Sequence, residues 1–456
     1  MSSISYPKLV HLLLGLFVFS ACDLVTTIPS PSEVAQSSAS STFSPTQTST
    51  PKPSSTPTIS PVLQVPVISP LTGLLYRDNI GLQVVSATRQ SKLLLEISDG
   101  EHASISSDGK SAIYISGEPP YWNYALVDLA TKQKIELNPG KDYLFCGIEW
   151  WQSNPNYLLA DVEPKELSGG MYCNSIPAIM NIKDQSLKLL GKEPGWNNFF
   201  DTSPDGQTIA FGQTGKPWLY SPNQGSRILN LQQYGFPEME NSFISHPAWS
   251  PSGRYLAWVI HGTLNGEDQQ GICVFDFQNK TSRFLFPYQV EGYDGGRSWI
   301  IWAPDEQSVI LDNFSLDLIW NIPIDGSQSS PIKFVPKWSP DGSMFAHLEF
   351  DRQANKAFIV ISNAVSSNLH NIYLPLELYS MKWLTDPNVN WGDENILFWD
   401  SQGRNLRWSL DGESLIVELG DSHNKWNWVV DMKSLQLYRL DLPEYAEILG
   451  FLEIEQ

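Results

Sequence analysis

The chain has 456 residues, of which 41% are apolar and 12% aromatic, and it carries a formal net charge of -20. That apolar share is enough for a sizeable core, so most of the chain can fold, and a chain this acidic is repelled by phosphate backbones, which argues against nucleic-acid binding. Cationic ligands or divalent metals sit more easily with the charge, and solubility alone is its plainer meaning.

The elements begin with an address. Residues 9–21 read LVHLLLGLFVFSA, an apolar run preceded by Lys8 and too short to span a bilayer comfortably. It ends in Phe19-Ser20-Ala21-Cys22. Small residues just before a cysteine resemble the lipobox of bacterial lipoproteins, although Phe19 stands where Leu is usual. The resemblance implies a signal peptide over residues 1–21, cleavage before Cys22 and a diacylglycerol thioether on the Cys22 side chain. The protein would then be exported and held at the bacterial cell envelope by its lipid, outside the cytoplasm.

Residues 22–66 are dominated by Ser, Thr and Pro, with few charges. They offer too little apolar surface to offset chain entropy, and proline keeps them extended. We read them as a disordered tether, at roughly 3 Å per residue where it is extended. Residues 67–456 have a globular composition.

A phrase recurs through this part: Ile105-Ser-Ser-Asp-Gly109, Thr202-Ser-Pro-Asp-Gly206, Trp249-Ser-Pro-Ser-Gly253, Trp302-Ala-Pro-Asp-Glu306, Trp338-Ser-Pro-Asp-Gly342 and Trp408-Ser-Leu-Asp-Gly412, with a degraded copy at Trp150. Pro presets φ, Asp bonds its own backbone and Gly accepts a positive φ, so each copy is a tight turn. The Trp before it ends one strand and packs between sheets. An apolar strand follows most copies, and two further strands follow that one, as in TIAFG, PWLYS and SRILNL. Four strands per repeat is the composition of one propeller blade.

The Trp-Ser-Pro-Asp-Gly turn with its apolar strand resembles the TolB-type propeller repeat, related to WD-repeat propellers and to the propeller of dipeptidyl peptidases. The resemblance covers about residues 70–456 and implies an all-β propeller. Eight outermost strands can be counted, from SKLLLEI to LQLYRL. The first blade lacks its inner strand, and the run around 445–454 is free to supply it and close the ring. Eight blades is the reading and seven the alternative, with 381–400 the ambiguous stretch.

Cys146 opens an inner strand, and Cys173 lies in the loop between the second and third strands of the same blade. In a propeller these positions share a face, and an exported compartment permits disulfides, so a Cys146–Cys173 bridge is expected. Cys273 reads as an inert core thiol.

No nucleophile elbow, HExxH, CxxC, P-loop or EF-hand pattern is present, so no catalytic residue, metal site or cofactor is expected. The turn aspartates read as turn formers, and His246 as structural. The reading is a monomeric, non-catalytic binding module for protein or glycan. Its alternatives are a TolB-like scaffold of an envelope complex, or a lyase or hydrolase with a site in the central channel. Ligand candidates come from the long loops between second and third strands and between blades. They are Tyr121, Trp122, Glu163, Tyr172, Tyr234, Glu238, Glu267, Asp268, Tyr293, Asp294, Arg297 and Trp426. Rings beside carboxylates suit a sugar or peptide; alternatively, the rings fold back over the blades.

Overall fold

The computed structural model describes residues 66–452 apart from 70, 99–101, 107, 118–121, 152, 169–172, 193–194, 197–199, 214, 289–297, 314–317, 352–355, 364–368, 375–405, 421–424 and 444–445. The signal segment, Cys22, the tether up to residue 65 and the ambiguous stretch 381–400 lie outside these residues.

Eight four-stranded antiparallel sheets follow one another in a ring. In blades 2 to 8 the chain runs from the inner strand A outward to strand D; the A strands of blades 2 and 3, 4 and 5, 5 and 6, and 7 and 8 touch one another. The blades span residues 102–136, 143–189, 200–228, 240–288, 298–332, 337–373 and 406–440. Blade 1 takes strands B to D from residues 74–96 and its inner strand from Glu447–Phe451, which pairs with Leu74–Arg77. The C-terminal strand therefore closes the ring, and the count is eight rather than seven. A second clasp was not foreseen: Val67–Ile68 lies parallel to Arg439–Leu440 on the outer edge of blade 8. Both ends of the globular part thus cover an edge that would otherwise stay unpaired.

The repeated turn is built more tightly than proline and glycine alone explain. In four copies the buried serine donates its Oγ–H to the aspartate Oδ1, as in Ser203 to Asp205 at 2.5 Å and Ser339 to Asp341 at 2.7 Å. The same hydroxyl accepts the amide five residues on, Thr208 to Ser203 at 2.9 Å and Met344 to Ser339 at 3.0 Å. The aspartate then accepts the amide two residues on. Glycine closes the turn at positive φ, +65° at Gly206 and +74° at Gly253. These contacts hold Asp108, Asp205, Asp341 and Asp411 below the ordinary carboxylate range; for Asp341, the Ser339 hydroxyl and the Ser343 amide lower the pKa to about 2.

The tryptophans join blades. Nε1–H of Trp150 donates to the Ser104 carbonyl at 2.9 Å, that of Trp302 to Ala248 at 2.8 Å and that of Trp408 to Lys337 at 2.9 Å. Each acceptor sits at the same register position of the preceding inner strand, one residue before the tryptophan site. The apolar core lies between sheets: one cluster joins Leu219 and Leu229 of blade 4 to Leu256, Trp258 and Phe275 of blade 5. Cys273 is fully buried there, and burial pushes its thiol pKa up. Each fully buried aliphatic side chain stabilises by about 1.5–3 kcal/mol, so these inter-sheet layers hold the ring.

Candidate functional site

Alternating strand direction sorts the connections onto two faces. The A–B and C–D turns emerge on one face, here the turn face; the B–C and interblade connections emerge on the other, the loop face. Most of the sequence-derived ligand candidates belong to the loop face. Tyr121, Tyr172, Tyr293, Asp294 and Arg297 lie outside the described residues, and Trp426 lies within strand C of blade 8.

Glu163 corrects its expectation. It is the last but one residue of strand B of blade 3 and is fully buried, and its Oε1 accepts the Asn174 amide at 2.8 Å. It anchors the start of strand C instead of meeting solvent. Beside it Cys146 and Cys173 are paired as a disulfide, with Cα atoms 6.1 Å apart. The candidate ligand atoms of these three residues lie within 4.8 Å of one another. With the sulfurs joined and Glu163 bonded to an amide, the cluster reads as a covalent pin for the loop, since metal ligation needs thiolates.

Tyr234 also turns inward: half-buried, it packs edge-on against Phe275 at 5.0 Å. Trp122 is half-buried and edge-on to His102 at 6.3 Å. His246 is buried and edge-on to Trp299 at 4.7 Å. Glu238, Glu267 and Asp268 are exposed. The last two do not sit in an irregular loop as expected. Strands Tyr255–Leu264 and Glu267–Asp276 run on as ten paired residues each, turning at Asn265-Gly266 with φ of +55° and +83°. An Asn-Gly pair is the sequence signal for such a two-residue hairpin. The result is a long hairpin, the blade 5 β-arm, which the inner strand flanks as far as the Glu240–Thr263 pair and whose tip carries two carboxylates.

The register position before each tryptophan site defines a level of the channel rim that sequence reading missed. Going round, it is occupied by Ser104, Glu149, Asp201, Ala248, Ile301, Lys337 and Arg407 in blades 2 to 8. In a ring of eight, blade 3 faces blade 7 and blade 4 faces blade 8. Glu149 and Asp201 therefore lie on one half of the rim, and Lys337 and Arg407 on the other. Arg407 Nη1 donates to the Leu449 carbonyl at 3.5 Å. Asp201 accepts from the Trp249 amide at 2.6 Å and the Thr202 amide at 2.8 Å.

Burial outweighs those two bonds and pushes the Asp201 pKa up to about 6. Desolvation, then the nearby Asp201 charge, pushes Glu149 up to about 7. Glu149 is nonetheless exposed, so solvent reaches it while protein crowds its flanks. Two neighbouring carboxylates that titrate near neutrality can hold, share or pass a proton.

These features define a class: an all-β, eight-bladed propeller with a charged channel rim, a disulfide-pinned loop and an acidic β-arm. No protein-family model and no curated protein matches the chain. Among solved structures it is similar to an oligogalacturonate lyase in complex with manganese, with 15% identity over 74% of this chain and 79% of that one, at a TM-score of 0.40. It is similar to a eukaryotic initiation factor, with 13% identity over 80% and 82% and a TM-score of 0.49. It is also similar to TolB from Acinetobacter baumannii, with 15% identity over 66% of this chain and 63% of TolB, at a TM-score of 0.32. Likeness of this degree concerns the fold alone.

Proposed function

We propose that the chain is a lipid-anchored, extracytoplasmic binding module, held at the membrane through Cys22, stood off by the 22–66 tether, and recognising protein or glycan on its loop face without catalysis. The observation that carries the binding reading is the blade 5 arm. This hairpin has ten paired residues in each strand, is flanked by the inner strand as far as Thr263, and presents exposed Glu267 and Asp268 at its tip; such exposed groups on a rigid scaffold serve recognition.

Two experiments test it. Metabolic labelling with palmitate marks the wild type, and Cys22→Ser abolishes the label; undiminished label on the variant removes the anchor. A glycan array and cross-linking to envelope extracts, read with wild type and with Glu267→Lys/Asp268→Lys, test the face. Binding should fall at least tenfold with an unchanged melting temperature, and equal binding by the variant sinks the role of the arm.

A catalytic reading has one observation in its favour, the Glu149–Asp201 pair. Carboxylates with pKa values near 7 and 6 suit general acid–base work at neutral pH. Turnover of a polysaccharide by the wild type, lost in Glu149→Gln, would install this reading in place of the first.

A further inference from the structure

On the turn face a cleft of about 500 Å³ opens between blades 4 and 5. The repeat supplies its own control, because the same positions between blades 5 and 6 are filled. There Glu306, at the last position of its turn phrase, reaches back to blade 5. Its carboxylate accepts the Ser252 amide and, at 2.8 Å, the Ser252 hydroxyl. Arg283, two residues into strand D of blade 5, donates Nη1 to the Ile324 carbonyl of blade 6 at 2.9 Å. Between blades 4 and 5, Gly253 stands in the Glu306 position and Asp205 in the Ser252 position. Arg227 stands in the Arg283 position, by the pairing of strands C and D.

The consequences are structural. Gly253 has no side chain with which to bridge the turns, and a glutamate there would face the Asp205 carboxylate. Arg227 is exposed and has no hydrogen-bond or ion-pair partner among the described residues. It lines the cleft with Asp205, Asn223, Gln224, Trp249 and Phe277. Trp249 and Phe277 stack at 5.0 Å and 18° to form an aromatic wall. Asp205 spends Oδ1 on its own turn, on the Ser203 hydroxyl and the Gln207 amide, and Oδ2 has no partner among the described residues.

We propose that this cleft binds an acidic saccharide unit, with the sugar carboxylate on Arg227, hydroxyls on Asp205, Asn223 and Gln224, and the ring against the Trp249–Phe277 wall. A guanidinium is the matched partner of a carboxylate. A single carboxylate accepting from hydroxyls, beside neutral amides, selects a polyol over a second charge. An aromatic wall complements the apolar face of a pyranose. The net charge of -20 opposes a polyanion at long range, but beyond about 10 Å that field is screened at 0.1 M salt. The site therefore takes a short acidic sugar in preference to a polyanionic chain. It lies on the face opposite the β-arm and is independent of the role proposed for that arm.

The test is calorimetric titration, at 0.1 M salt, of the full globular chain with a glucuronate-terminated trisaccharide, its neutral glucose counterpart and a glutamate-containing tripeptide. The acidic sugar should bind at least tenfold more tightly than either of the others. Arg227→Gln should lose at least tenfold. So should the double variant Asp205→Ser/Gly253→Glu, which transplants the Ser252–Glu306 bridge into the cleft. Glu306 itself adopts φ of +57°, so this turn position accommodates glutamate at the strain of a positive φ, which is +74° at Gly253, with its Cβ 3.4 Å from the Pro204 ring. Melting curves of both variants establish that they are folded. Equal affinity for neutral and acidic sugar, tighter binding of the tripeptide, or undiminished binding by the folded double variant would overturn the assignment. Glu267→Lys/Asp268→Lys should leave the titration unchanged; a loss there would also overturn it.

Discussion

The contacts between blades 4 and 5 and between blades 5 and 6 use the same repeat, yet are held differently. At the inner strands, blade 6 is fastened to blade 5 by an indole: Trp302 Nε1–H donates to the Ala248 carbonyl, and its ring stacks on Tyr255 at 5.7 Å. Blade 5 is fastened to blade 4 by a carboxylate, with Asp201 accepting the Trp249 amide, while Trp249 Nε1–H is buried with no partner among the described residues. At the turn face the first contact is open and the second bridged. One repeat thus yields a titratable, cleft-bearing joint beside a sealed one. A handful of substitutions decides which, because the backbone register is shared.

The largest test of this contrast exchanges the indoles. Trp302→Phe removes the donor to the Ala248 carbonyl and shrinks a well-packed ring, and should cost about 2–3 kcal/mol. Trp249→Phe shrinks a similar ring but gives up a donor that has no partner, so its cost should be at least about 1 kcal/mol smaller. Urea denaturation of the two variants measures the difference. Equal costs would mean that the indole bond adds nothing to the joint.

A smaller effect follows from Asp201 at the open joint and from its neighbour Glu149 in blade 3. Glu149 and Asp201 have folded-state pKa values of about 7 and about 6, above the ordinary values near 4. Between these limits the folded chain keeps protons that the unfolded chain releases. Stability from this pair therefore falls as pH rises from about 4 through about 7, and is flat above about 8. Because solvent reaches Glu149, we set the loss at about 1 kcal/mol, well under what a buried shift of that size would give. The turn aspartates act with the opposite sign. Their depressed values add stability that is lost as pH falls below about 4, through about 2 for Asp341. Melting temperature should thus peak between about pH 4 and 5, and Glu149→Gln should flatten its decline toward pH 8. An unchanged slope in that variant would assign the decline to other groups.

Much of this architecture was legible because the repeat writes its geometry locally. Proline, aspartate and glycine in succession can hardly avoid a turn, and counting outer strands yields the blade number without any contact information. The disulfide partners and the closing strand could be anticipated because topology alone sorts strand ends onto faces. The buried serine of the turn escaped notice although it recurs with the aspartate; its signal was present, but serine usually reads as surface. The channel rim and the cleft were hidden for a deeper reason. Each depends on residues about 50 positions apart that become neighbours only once register is known, and Glu149, Asp201, Lys337 and Arg407 carry no local motif. The loop face was overread at Glu163 and Tyr234, where a polar or aromatic loop residue folds back to satisfy the backbone or fill the core.

The smallest test is the reverse conversion, Glu306→Gly, which gives the sealed joint the residue found at the open one. Two terms oppose each other. The variant loses the contacts of Glu306 with the Ser252 amide and hydroxyl, which are exposed and worth about 1 kcal/mol or less. It also replaces a non-glycine residue at φ of +57° by glycine, which favours that backbone by a similar amount. The net change in stability should stay within about 1 kcal/mol in urea denaturation. Opening this joint should not create a second acidic-sugar site, because Arg283 remains bonded to the Ile324 carbonyl. If Glu306→Gly bound the acidic trisaccharide at two sites, an engaged guanidinium would serve as well as a free one. The contrast drawn between Arg227 and Arg283 would then be wrong.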